Sequence, residues 1–366
     1  MAHGGDVYRI YEKYPQMRGN LIDFSANLSP LGMPASVKEA AIKGLNVSAI
    51  YPDPACRQLK AAILTFLHKN YQADLTQQEI VCGNGAVDLI YRLVAAYKPK
   101  HALLCAPTFG EYEKALKLLS CQMSYYFCPE NTLEVGEEIL QKIDAHTDLL
   151  FLCNPNNPTG LLLDPALLWR IIQKTKETGT LLVIDECFLD FVEDEILYST
   201  IPILSQNKHI LVLKSFTKMY AMPGLRLGYA LCADTHLIQK MEESGPSWSV
   251  STVASYAGMA ALKLEDYPQK VRDYISRERD FLMDAFRQRD IHFSDSCANF
   301  ILLKVDPSTD LYHELLSKGM LIRTCEDFKN LGPGFYRIAV HTHENNRRLV
   351  EALSSVIVDG KGLGLR

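Results

Sequence analysis

No apolar run in this 366-residue chain comes near the ~20 residues that cross a bilayer as a helix, so no membrane partner is expected. No C-x-x-C pair occurs among the ten cysteines, which argues against zinc ribbons and thioredoxin-like redox motifs. Cys105 and Cys153 lie inside apolar runs, where a reduced thiol behaves as a small hydrophobe, and a reducing cytoplasm is the expected setting. There is no long basic stretch and the net charge is −5, so nucleic acid is not expected as a partner. The N-terminal region carries Asp6, Arg9 and Glu12 and does not read as a secretory signal. Internal repeats are absent. His341-Thr342-His343 has no cysteine or acidic cluster to join it, so no metal site is expected.

What is present is a large apolar fraction, 48%, in a regular order. From 101 to 233 short apolar runs alternate with helically spaced segments, the runs being 101–105, 123–128, 148–153, 180–185, 209–214 and 227–232. That alternation predicts an α/β fold with a mostly parallel sheet covered by helices. Before it, helices are expected over 36–45 and 57–69 and a strand–turn–helix over 80–94. Residues 250–290 read as long helices. Strand-like runs at 299–305, 320–323 and 335–340 and helical runs at 310–318 and 344–357 then suit a smaller α+β domain, and Gly360–Gly364 reads as a frayed tail. Three parts are expected: an arm (1–34), a large domain (35–250) and a small domain (251–366). The arm's glycines and prolines argue against regular structure, whereas Ile22, Phe24 and Leu28 at core-like spacing imply that it is docked.

Two motifs are defined partly by what they lack. Gly83-Asn84-Gly85 opens a helix and suits an anion, since free N–H groups and the helix dipole point at the ligand. It is no dinucleotide fingerprint, because Asp88 stands where the third glycine would be, and no P-loop, because no lysine follows. Ser215-Phe216-Thr217-Lys218 fits the S-x-x-K of serine acyl enzymes, but that family's S-D-N and K-T-G are missing. Its continuation to Arg226 suits an aldehyde cofactor bearing a phosphate. A lysine amine can form a Schiff base, while hydroxyls and a guanidinium can hold phosphate oxygens. Ligands on parallel sheets lie beyond the strands' carboxyl ends. The residues there are Pro107-Thr108-Phe109, the Pro-rich Asn154–Gly160 turn with Asn157, Asp185-Glu186, and Lys218. Asp185 ends an apolar run, where a carboxylate is costly without a partner such as a protonated pyridine nitrogen. Taken singly, each of these residues equally suits a turn, a cap or a core position.

Taken together, their order and spacing resemble the fold-type I pyridoxal-phosphate (PLP) enzymes, over essentially the whole chain. The closest likeness is to the branch holding histidinol-phosphate aminotransferase and threonine-phosphate decarboxylase. His3-Gly4-Gly5, Asp23-Phe24-Ser25-Ala26-Asn27 with Pro30-Leu31-Gly32, and Asp185–Phe191 look like the decarboxylase family of cobalamin synthesis. Its aminotransferase relatives usually carry tyrosine at Phe109 and Phe188. The resemblance implies that Lys218 bonds the cofactor, Asp185 pairs its ring nitrogen, Asn157 approaches its ring oxygen and Phe109 stacks on it. Ser215, Thr217, Arg226, Gly85 and Ala86 would hold its phosphate, joined by Tyr51 from a second subunit, so a homodimer is implied. Arg337 matches a carboxylate-binding arginine, and His3, Asn27, Asn157 and Arg323 are candidates for the rest of a phosphorylated amino-acid substrate. The implied reaction is decarboxylation of O-phosphothreonine or O-phosphoserine. A histidinol-phosphate-type aminotransferase is the alternative, and a catalytically silent binding protein is a third.

Overall fold

The computed structural model describes residues 4–356. His3 and the tail from 357 onward lie outside them. The arm holds a helix, α1 (Val7–Lys13), and a two-residue strand, β1 (Ile22–Asp23). The helix corrects the expectation of an irregular arm: the Asp6 side chain accepts a hydrogen bond from the Arg9 N–H and starts a turn that the neighbouring glycines obscure. Helices α2 (Ala35–Asn46) and α3 (Arg57–Tyr71) follow.

The central unit alternates as its apolar runs require: β2 (Ile80–Gly83), α4 (Gly85–Tyr97), β3 (His101–Ala106), α5 (Glu111–Leu118), β4 (Gln122–Phe127), β5 (Leu149–Cys153), α6 (Pro165–Thr178), β6 (Leu181–Asp185), β7 (Ile210–Ser215), β8 (Gly228–Cys232) and α7 (Thr235–Glu243). The seven strands form one sheet in the order β2-β8-β7-β6-β5-β3-β4. Only β8 runs against its neighbours; the other pairings are parallel. Strands β5 to β7 are almost wholly apolar because both faces are covered. Alternate residues divide between two cores, with Leu150, Leu182 and Val212 on one side and Leu149, Phe151 and Leu211 on the other. Helix ends follow local chemistry. The Asp164 side chain accepts from Leu167 N–H and Pro165 occupies the first turn of α6, while Gly179 closes it in a left-handed conformation.

Beyond it come α8 (Thr252–Ala261), α9 (Asp266–Arg287), β9 (His292–Phe293), β10 (Phe300–Lys304), α10 (Leu311–Ser317), β11 (Met320–Leu321), β12 (Arg323–Thr324), β13 (Phe335–Ala339) and α11 (His343–Val356). An antiparallel sheet, β12-β13-β10-β9, forms here. The run expected as one strand at 320–323 is divided: β11 pairs in parallel with β1, and β12 pairs with β13. The arm is thus stitched to this region. Phe24 is fully buried, donates its N–H to Leu321 O at 2.8 Å and accepts from Ala339 N at 2.7 Å. Further along, Ser29 N–H donates to the carbonyl of Lys218 at 3.0 Å, so the arm also touches the loop that follows β7 of the central sheet.

Candidate active site

Parallel register puts the ends of β5 and β6 side by side, with Cys153 opposite Asp185 and Asp185 opposite Leu213 of β7. The loops leaving these ends, the arm and the small sheet enclose a cavity of about 700 Å³. Gly4, Gly5, Asn27, Thr108, Phe109, Asn157, Phe188, Thr217, Lys218, Arg226, Arg323 and Arg337 line it. The strand-end rule therefore gathers residues that are far apart in sequence.

Lys218 faces the ring of Phe188 with Nζ 5.8 Å from its centroid. Burial brings its amine down to about 8, helped by the positive Arg337 and Arg226 and opposed by Cys187 and Asp185. Such an amine is partly neutral near neutrality and can act as a nucleophile. Asp185 is buried behind the cavity. Its Oδ2 accepts from the Tyr112 hydroxyl at 2.6 Å and its Oδ1 from the Cys187 N–H at 3.0 Å. Arg337 on β13 is buried; it donates through Nη1 to Asn157 Oδ1 and through Nη2 to Ser25 O at 3.0 Å. Its Nε is buried without a partner. Burial lowers its guanidinium to about 10, still charged at neutral pH. Asn157 is thus tied to the arginine through its carbonyl oxygen. Phe109 lies edge-on to Tyr112, centroids 5.6 Å apart, with a side toward the cavity.

A cradle for an anion sits at the start of α4. Gly85 has φ +82°, and a methyl group added there would lie 2.6 Å from Nη2 of Arg226. The helix has no side-chain cap from Asn84, so its first N–H groups are left for a ligand. Arg226 itself is left-handed at φ 54°, a costly conformation for a non-glycine residue that delivers the guanidinium over Gly85. A cradle shaped for a phosphate, an amine of lowered basicity and a buried carboxylate make a donor set that fits PLP.

Other expected residues are placed differently. Ser215 Oγ accepts from Thr217 N–H at 3.2 Å, and Ser215 borders a separate cavity of about 40 Å³; Thr217 faces the main one. Gly85 and Ala86 form the turn next to Val87, which lines the cavity. Tyr51 lies outside it, 78% exposed and packed on Trp248 with centroids 4.8 Å apart. Asn27 is buried with Oδ1 unpaired. Arg323 reaches the cavity already engaged, with Nη2 donating to both carboxylate oxygens of Asp327 at 2.7 Å. Residues that sequence reasoning missed include Tyr112, Asp327 and Lys329, whose Nζ sits 4.4 Å from the Tyr125 ring centroid beside the cavity. Tyr112 carried one signal, its place three residues after Phe109 on the same loop-to-helix junction.

Comparison with known proteins agrees with this geometry. Residues 19–353 match the family described as aminotransferase class I and II. The chain is 35% identical to threonine-phosphate decarboxylase of Salmonella typhimurium, over 97% of this chain and 96% of that one. It is 31% identical to the adenosylcobalamin biosynthesis bifunctional protein of Leptospira interrogans, over 97% of this chain but 41% of that longer one. Among solved structures, the histidinol-phosphate aminotransferase of Clostridium acetobutylicum has a TM-score of 0.85 at 26% identity, covering 92% of this chain and 99% of that one. With the sheet order, the strand-end lysine and the whole-length match in agreement, the chain belongs to the aminotransferase class I and II family.

Proposed function

We propose that this protein decarboxylates O-phospho-L-threonine, or O-phospho-L-serine, to an amino-alcohol phosphate destined for the nucleotide loop of cobamides. The observation that carries the reading is the pairing of Lys218 with two arginines, Arg337 and Arg323, around one cavity. Whole-length similarity to a threonine-phosphate decarboxylase supports the choice of substrate. A second reading, an aminotransferase acting on histidinol phosphate, is supported by the structural likeness to such an enzyme. The Phe188 ring, which has no hydroxyl to offer a ring oxygen, favours the first.

The cofactor is pyridoxal 5′-phosphate. Lys218 would hold its aldehyde carbon, Asp185 its ring nitrogen, Asn157 its ring oxygen and Phe109 its face. Gly85, Ala86, Ser215, Thr217 and Arg226 would hold its phosphate, with Tyr51 reaching in from a second copy. When bound, it supplies an electron sink for the pair left on Cα as carbon dioxide departs. The protein's part is alignment and proton delivery. Arg337, braced by Asn157 and Ser25, receives the substrate carboxylate and fixes its direction. Arg323, together with Asn27 and His3, holds the substrate phosphate. Anchoring both ends sets the rotation about Cα, and such orientation is worth up to ~7–11 kcal/mol of barrier in favourable cases. Lys218 Nζ, which lines the same cavity, would carry a proton to Cα.

The arm 1–34, large domain 35–250 and small domain 251–366 belong to this reading, as do a homodimer and a cytoplasmic setting. All ten cysteines are unpaired thiols, which suits the last of these. No helix among the described residues is long and apolar enough to cross a membrane.

Steady-state kinetics of arginine variants test the substrate assignment. Arg323→Ala should raise KM for O-phosphothreonine about tenfold to a hundredfold, the worth of one charge-assisted contact. Asp327→Ala, which removes the carboxylate that holds Arg323 Nη2 while Nη1 stays on Thr324 O, should lower KM. Unchanged KM in both would remove phosphate recognition from this pair and weaken the case for a decarboxylase over a generic aminotransferase.

A further inference from the structure

We infer that Tyr112 is a positioning residue whose phenol fixes the plane of the Asp185 carboxylate, so that Asp185 can hold the ring nitrogen of the cofactor. This rests on the assignment of Asp185 to that nitrogen.

Tyr112 is fully buried in the second turn-forming position of α5. Its ring stacks on Phe151 of β5 with centroids 4.6 Å apart and planes 8° from parallel, so the side chain has no freedom to swing. The hydroxyl donates to Asp185 Oδ2 at 2.6 Å, the length of a strong bond to a charged acceptor. The backbone N–H of Cys187 holds the other oxygen at 3.0 Å. Each carboxylate oxygen therefore has a fixed donor, and the plane of the group is set from two sides. The other titratable groups facing Asp185 are the thiols of Cys153 on β5 and Cys187 after β6, and the Lys218 amine after β7. The Cys153 thiol donates to Pro155 O at 3.3 Å and neighbours the Tyr112 hydroxyl. Tyr112 gives Asp185 its short hydroxyl bond, and the Cys187 thiol adds a weaker side-chain contact.

Burial, and the Asp185 charge beside it, push the Tyr112 phenol well above the usual range. It remains protonated, and therefore a donor, at any working pH. The bond therefore always runs from the phenol to the carboxylate, and it holds the oxygen that a ring nitrogen would meet. The same tyrosine supports Phe109 edge-on, so it braces both the nitrogen-binding and the ring-stacking side chains.

The test uses apoenzyme and two cofactors: pyridoxal 5′-phosphate and its 1-deaza analogue, in which the ring nitrogen is replaced by carbon. Dissociation constants are measured by the absorbance change on binding, for the parent, Tyr112→Phe, Asp185→Asn and the double variant. Tyr112→Phe keeps the ring stacking, and circular dichroism checks its fold. The parent should prefer the natural cofactor. Tyr112→Phe should lose about tenfold or more of that preference, the worth of one bond to a charged group, while binding the deaza analogue as the parent does. In the Asp185→Asn background the same change should have no further effect. Equal weakening for both cofactors, or no change for either, would overturn the inference and leave Tyr112 a core residue. A parent that does not discriminate between the two would instead overturn the placing of Asp185 at the nitrogen, and the role of Tyr112 with it.

Discussion

Lys218 is where sequence and chemistry meet most directly. Its amine, brought down to about 8 by burial, is a nucleophile only when neutral. Capture of pyridoxal phosphate by the apoenzyme should therefore speed up as pH rises toward about 8 and level off above it. Stopped-flow absorbance measures this; a rate that keeps rising to the ordinary lysine range would mean that the amine is not desolvated. Borohydride should fix the cofactor to Lys218, and Lys218→Ala should be colourless and inactive. Lys218, Asp185, Asn157 and Phe109 were legible because each stands at or just beyond a strand end, whereas Arg337, in the middle of β13, was offered by the family resemblance alone. Arg323 was legible as a charge but not as an engaged one, since Asp327, four residues on, closes a two-pronged ion pair that sequence spacing alone does not reveal. Tyr112 is one of 18 tyrosines, and its bond to Asp185 spans 73 positions, so its place three residues after Phe109 was its one local mark and did not reveal that partner.

At the scale of elements, the junction of β2 and α4 makes the sharpest claim. Gly85 is needed for its positive φ and because Arg226 occupies the space of a side chain. Gly85→Ala should weaken pyridoxal-phosphate binding about tenfold or more, through ~1–3 kcal/mol of backbone strain and a displaced guanidinium. Its effect on pyridoxal, which has no phosphate, should be smaller. Equal losses for the two would separate the turn from the phosphate. The strands of the central sheet were legible because burial on both faces leaves unbroken apolar runs. Helix α1 was not, being seven residues between glycines and a proline. The split of 320–323 was also hidden, because its two halves find partners more than ten residues away in opposite directions, β1 in the arm and β13 beyond the following loop.

For the whole molecule, an exposed apolar surface at the end of α2 and beyond, with Ile42, Leu45, Ile50, Tyr51 and Trp248, is what a monomer would not usually leave in water. Light scattering should give twice the 41.2 kDa of one chain. Mixing inactive Tyr51→Ala and Lys218→Ala subunits should restore activity, since one site of the hybrid then has both residues. A fully active monomer would end that account. The central claim concerns which bond at Cα is broken. Carboxyl-labelled O-phosphothreonine should release its label as carbon dioxide in step with formation of the amino-alcohol phosphate, with no keto acid required. Retention of the label in a keto acid, with transfer of the amino group, would contradict decarboxylation and make the protein an aminotransferase.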